Sequence, residues 1–190
     1  MSCRRAFALL CCLAVQACAT ANATSAKKPI EVTIATLYPL VRGAAWSYDV
    51  DSGDGAPVLA TARVTAVRDA LVEVESGQAR LHYMLRPDGI ARVRQSGYLL
   101  KLPLVERASW PSAPDTIARV ESLHQRVVTS AGAFEECVVV REANASSGQR
   151  VTTTYCPGVG PVTVVSEMEV RGHALRVVAT LRGYAFSEPG

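Results

Sequence analysis

Aromatic side chains are scarce in this chain, at 6% of 190 residues, and there are only three histidines. A surface that stacks bases or sugars needs more rings than that. A zinc centre needs its ligands gathered, whereas His82, His124 and His173 each stand alone. Also missing are G-x-S-x-G, H-E-x-x-H and G-x-x-x-x-G-K, the marks of hydrolase elbows, zinc proteases and phosphate-binding loops. No charge-free apolar run reaches the roughly 20 residues of a membrane-spanning helix. These absences lead to the expectation of a protein that is not an enzyme, uses no cofactor or metal and binds no nucleic acid.

What is present begins with a leader. Arg4 and Arg5 precede a short apolar run, Ala6 to Val15, and then small residues. This is the pattern of a secretory signal peptide, assigned to residues 1–17. Two exits are readable. "VQAC" resembles a bacterial lipobox ending at Cys18, a candidate lipidation site, although Gln16 is unusual there. "ATANA" offers A-x-A sites for ordinary cleavage and release. Residues 18–29 are small and polar and suit a flexible tether. Ala19 follows the candidate cysteine where inner-membrane lipoproteins typically carry aspartate, so the lipoprotein resemblance implies the outer membrane. The expected location is the periplasmic side of the cell envelope, with membrane association only through the lipid anchor, or otherwise free in the periplasm. Losing residues 1–17 removes two arginines and no acids and lowers the formal charge from +3 to +1.

Residues 30–190 amount to a single domain in length. They are rich in Val, Thr and Ala, with Gly, Pro, Asp or Asn recurring every eight to twelve residues, the spacing of an all-β chain. Strands are expected at "AAWSYDV", "LATARVTAV", "LVEVES", "ARLHYMLR", "GIARVRQ", "YLLKLPL", "VTVVSEMEVRG" and "HALRVVATLRGYAF". Short turns such as "RPDG", "QSG" and "RGH" make neighbours antiparallel. Residues 115–122 are ambiguous. Ile117, Val120 and Leu123 approach a helical period behind Asp115, so that stretch is left as helix or strand, and a strand is expected over 123–130.

Beyond residue 18 only Cys137 and Cys156 remain. Their midpoint falls between Ser146 and Ser147, inside the turn-like "NASSGQ". A hairpin about that point opposes the two cysteines and pairs Val138 with Tyr155, Val139 with Thr154 and Val140 with Thr153. Oxidation is expected in an exported protein. A redox pair would be C-x-x-C, and zinc would need further ligands, so a structural disulfide is the reading.

Three phrases, "YPLVRGAAWSY", "VVTSAGAFEECVVV" and "TYCPGVGPV", resemble a group of uncharacterised bacterial envelope proteins with W-x-Y, A-G-x-F-x-x-C and P-G-V-G motifs. Tyr38 stands where the first phrase usually has Phe. Members are similar to the lipoprotein carriers LolA and LolB. The resemblance implies an antiparallel sheet curled into an open, incomplete barrel around an apolar hollow, with no catalytic residues to carry over. In "PGVGPV" two prolines withhold ladder donors and two glycines admit unusual backbone angles, so a bend is favoured over a ligand site.

Trp46, Tyr48, Trp110 and Tyr155 are the candidate apolar lining, although packing in a core would use the same residue types. Asp49, Asp51 and Asp54 faintly resemble a calcium loop, but the twelfth position is Ala60 and a solvated turn is the better account. Arg86, Arg92, Arg94 and Lys101 form the densest basic run, with Arg92 and Arg94 expected on one polar sheet face. Glu135 and Glu136 alternate faces and cannot act together, and the sequon at Asn144 is taken as chance. The expected function is non-catalytic binding of an apolar or acylated ligand in a concave sheet face. The alternative is a structural or assembly role through contacts with an envelope protein.

Overall fold

The computed structural model describes residues 32–186; the expected signal peptide, Cys18 and the expected tether lie outside the described residues. Among the described residues a single short helix, α1 (Ile34–Leu37), is capped by Thr33, whose side chain accepts from the Thr36 amide. Twelve strands follow: β1 (Ala45–Asp51), β2 (Val58–Arg68), β3 (Leu71–Ser76), β4 (Ala79–Arg86), β5 (Gly89–Arg92), β6 (Gly97–Lys101), β7 (Ser109–Ala113), β8 (Thr116–Thr129), β9 (Gly132–Asn144), β10 (Arg150–Cys156), β11 (Gly160–Val170) and β12 (His173–Ala185).

They form one antiparallel sheet in the order β6-β5-β4-β3-β2-β1-β12-β11-β10-β9-β8-β7. The first strand pairs with the last, and the sheet rolls into a nearly closed barrel with one unsealed seam between the edge strands β6 and β7. The all-β class expected from strand spacing and the open barrel implied by the family resemblance are both observed.

The hairpin register is also as expected, with Val138 opposite Tyr155, Val139 opposite Thr154 and Val140 opposite Thr153. Cys137 and Cys156 are joined by a disulfide with a Cα–Cα distance of 4.2 Å, and both are buried.

Residues 116–129 are strand throughout, which resolves the stretch left open as helix or strand, and the short helix lies at Ile34–Leu37. Alternation overrides the helical spacing because Ala118 and Val120 are both fully buried while Ile117 before them is 51% exposed and Arg119 between them is exposed as well. The strand absorbs its mismatch in bulges near Ser122 and Gln125, with His124 at φ 60° facing Glu136 at φ 57°. One element differs from expectation: β7, "SWPSA", which sequence signals do not mark as a strand. Pro111 breaks the expected pattern but is tolerated because β7 is an edge.

Directly opposed residues of an antiparallel ladder point to the same face, so register separates inside from outside. One end of the barrel is packed solid. Leu37, Tyr38, Trp46, Val64, Val72, Ile90, Leu100, Val138, Val162 and Leu181 are buried there. The PGVG phrase makes the β10–β11 turn at this end. Its geometry depends on glycine at two points. The Gly158 amide donates to Thr36 O at 2.8 Å. Gly160, at φ 109°, lies so close beneath Trp46 that a Cβ would sit 3.1 Å from the indole nitrogen. The bend reading of this phrase therefore describes its place in the fold.

Candidate functional site

The barrel is unfilled towards its other end. A hollow of about 360 Å³ is lined by Tyr38, Tyr48, Tyr83, Tyr155 and small or apolar residues that include Ala60, Ala62, Val74, Leu99, Val164 and Ala179. The reason is visible in the sequence of each strand. Inward positions near the packed end carry Trp, Leu, Ile and Val, whereas further along β2 and β12 they become Ala60, Ala62 and Ala179. Small residues on an inward face leave space that no neighbour fills. Beyond the hollow, the same face of the β1–β2 and β11–β12 hairpins continues with Val58, Val170 and Leu175, which are 65%, 44% and 38% exposed. Apolar surface thus runs from the floor of the cup to its rim.

The floor is made by the N-terminal segment. Tyr38 projects into the barrel and meets rings from three different strands: Trp46 at 5.4 Å, Tyr155 at 6.1 Å and Tyr83 at 6.2 Å between centroids. The Trp46 indole donates to Val159 O at 2.6 Å and the Tyr48 hydroxyl to Pro161 O at 3.0 Å. Two of the sequence phrases, W-x-Y and P-G-V-G, are thereby clasped together, and Cys137 of the A-G-x-F-x-x-C phrase is disulfide-bonded to Cys156 at the end of β10. Burial raises the pKa of Tyr38, Tyr48, Tyr83 and Tyr155 above the ordinary phenol value, so all four present neutral hydroxyls.

Across the cup runs a charged brace. Arg92 on β5 and Glu142 on β9 form a bidentate pair, Nη1–Oε1 2.5 Å and Nη2–Oε2 3.0 Å, with side chains 18% and 11% exposed. Arg92 Nη1 also donates to Ser112 O on β7 at 3.0 Å. Burial alone would lower the guanidinium pKa, but the hydrogen bonds and charge of Glu142 outweigh it and the net shift is upward. The brace spans the seam, where Trp110 Nε1 donates to Tyr98 O at 2.9 Å. Among the described residues no backbone hydrogen bond joins β6 to β7. Gly97 and Ser112 meet there so tightly that a Cβ on Gly97 would lie 2.3 Å from the Ser112 carbonyl.

Of the four candidate lining residues, Tyr48 and Tyr155 line the hollow. Trp46 is packed at the closed end and Trp110 at the seam, each spending its indole N–H on a backbone carbonyl. Arg92 does not share a polar outer face with Arg94. It points inward, opposite Tyr83, because β5 ends at Arg92 and Arg94 falls in the following turn. Tyr83, Arg92 and Glu142 were not anticipated as site residues. A signal existed for the last: Glu142 shares the inward face with Val138 and Val140, and an acid on an apolar face requires a buried cation.

Elsewhere, Asp51 accepts from the Gly53 amide at 2.7 Å and Asp49 pairs with Arg182 at 3.1 Å, which suits a solvated turn. Glu135 approaches Arg126 and Glu136 bonds to His124. Among the described residues no group of three or more His, Cys, Asp or Glu is arranged to hold a metal ion.

No protein-family model matches the chain, and no curated protein matches it. Two solved structures are similar in part. One is a Bacteroides fragilis protein provisionally described as exported with a YmcC-like fold, at 11% identity and TM-score 0.49, covering 78% of this chain and 98% of that one. The other is a Parabacteroides distasonis protein provisionally described as a lipoprotein, at 13% identity and TM-score 0.40, covering 79% of this chain and 98% of that one. Likeness at these scores is loose, and the fold stands on the strand pairing itself.

Proposed function

We propose that this is a non-catalytic protein of the bacterial cell envelope that holds an apolar or acylated ligand in its cup. The observation that carries the reading is the open hollow of about 360 Å³, within the range of about 300 to 1,000 Å³ common for small-molecule sites. It has an apolar, aromatic lining and an apolar track to the rim. The buried phenols and the internally paired Arg92–Glu142 brace leave little charge facing the hollow, which favours a chain-like apolar group. The leader sequence supports an exported location, and Cys18 supports an outer-membrane tether; Cys18→Ser should then release the protein from membranes, and unchanged membrane association would refute the anchor.

The binding reading is tested by titrating the folded protein with a fluorescent fatty-acid probe. Saturable binding, displaced by unlabelled dodecanoate and abolished by filling the hollow with Ala62→Trp, is the expected result. Absence of probe binding by the folded wild type would contradict it.

A second reading is favoured by one observation. Val58 and Leu59 are neighbours on opposite faces of β2 and are 65% and 63% exposed, so this projecting hairpin suits contact with a protein partner in envelope assembly. Crosslinking from Leu59 to a single envelope protein, without lipid binding, would select that reading.

A further inference from the structure

The barrel wall has a notch beside the cup. β5 pairs only with Tyr83–Arg86 of β4, and one more bond, from the Val93 amide to His82 O at 3.1 Å, ends the contact. The edge of β4 from Ala79 to Leu81 therefore has no strand beside it on that side. A pocket of about 140 Å³ occupies the gap, lined by Arg80, Leu81, His82, Tyr83, Arg92, Arg94 and Gln95.

Three of these residues, Leu81, Tyr83 and Arg92, also line the apolar hollow. The notch therefore adjoins the cup across these three side chains. Its chemistry is different from that of the cup. Arg80 and Arg94 are exposed and make no ion pair within 4.0 Å among the described residues, whereas Arg92 is committed to Glu142. His82 Nε2 lies 3.4 Å from Glu73, which leaves its other ring nitrogen, Nδ1, buried without a partner. An unpaired buried polar atom is costly unless something supplies its hydrogen bond. His82 is part of the wall of a small basic pocket that adjoins an apolar one.

Resting on the binding reading above, we infer that the ligand is an anionic amphiphile whose acyl chain lies in the cup and whose carboxylate or phosphate group sits in the notch, bonded by Arg80 and Arg94. Guanidinium groups bind both oxyanions through charge-assisted hydrogen bonds. The small volume of the notch suits such a head and excludes a second chain.

The test is calorimetric titration of the mature protein with dodecanoate, dodecyl phosphate, 1-dodecanol, acetate and inorganic phosphate, repeated on Arg80→Gln/Arg94→Gln. Arg63→Gln, an exposed basic residue of β2 outside the notch, controls for general charge. The two anionic amphiphiles should bind about tenfold tighter than dodecanol, roughly the worth of one charge-assisted hydrogen bond. The double variant should lose that preference while still binding dodecanol, and Arg63→Gln should keep it. Equal affinity for dodecanoate and dodecanol in the wild type would overturn the head-group assignment and leave the cup intact. Inorganic phosphate or acetate binding as tightly as the amphiphiles would also overturn it, because the notch would then serve free anions. Failure of every amphiphile, dodecanol included, would remove the binding reading itself.

Discussion

Replacing Glu142 by Gln isolates the brace. The amide keeps the shape of the side chain but leaves Arg92 charged, largely buried and without a counterion. Removing one member of a buried pair typically costs about 3 to 5 kcal/mol. Two features reduce that here: Arg92 keeps its bond to Ser112 O at 3.0 Å and its side chain is 18% exposed. An adjoining polar hollow shares Arg92 and Glu142 in its lining, so the freed guanidinium has space to recruit water. The expected loss is therefore about 2 to 3 kcal/mol. With a urea slope of about 2 kcal/mol/M the midpoint should fall by roughly 1 to 1.5 M. Arg92→Met combined with Glu142→Leu should recover most of the loss, because replacing both charges by apolar groups removes the desolvation cost as well as the attraction. A urea series on the wild type, Arg92→Met, Glu142→Leu and the double variant gives the coupling. A Glu142→Gln loss below about 0.5 kcal/mol would refute the claim that the brace is buried and integral to the seam, since that is the scale of an exposed pair.

Three other outcomes follow from the geometry. Gly97→Ala drives a methyl into the Ser112 backbone; it should cost about 1 to 3 kcal/mol and speed hydrogen exchange selectively in β6 and β7. Four of the six tyrosines have raised pKa values through burial. Their contribution to stability is intact below the unfolded value of 10.0 and is lost as pH rises from there towards the folded values. A spectrophotometric alkaline titration should therefore show these four tyrosines ionising only with unfolding. Replacing Cys137 and Cys156 by Ser should lower stability by about 3 kcal/mol for a loop of this size, read by urea midpoint; no change would mean that the hairpin is held by its ladder alone.

The hairpins were legible because local signals agreed: alternation over "LVEVES" and "ARLHYMLR" and turn residues between them set β3 and β4 with the bounds observed. The cysteine register was legible because one turn lay midway between the two residues. β7 was hidden because Pro111 is acceptable only at an edge, and edge status is a property of the whole sheet. The inward turn of Arg92 was hidden for a similar reason: its facing depends on where β5 stops, which tertiary pairing decides. Tyr48 and Tyr155 read as lining and are so placed, while Trp46 and Trp110 have the same composition signal but lie against the PGVG turn and the seam. Long-range contacts such as Trp46 with Val159 leave no local periodicity to read.

The central claim is that the cup is a ligand site. Native mass spectrometry of residues 24–190, purified gently from the periplasm, tests it most directly. Adducts of lipid mass that vanish on denaturation, and that Ala62→Trp fails to retain, are the result this account predicts. A clean unliganded mass from repeated preparations, unchanged after incubation with dodecanoate, would contradict it.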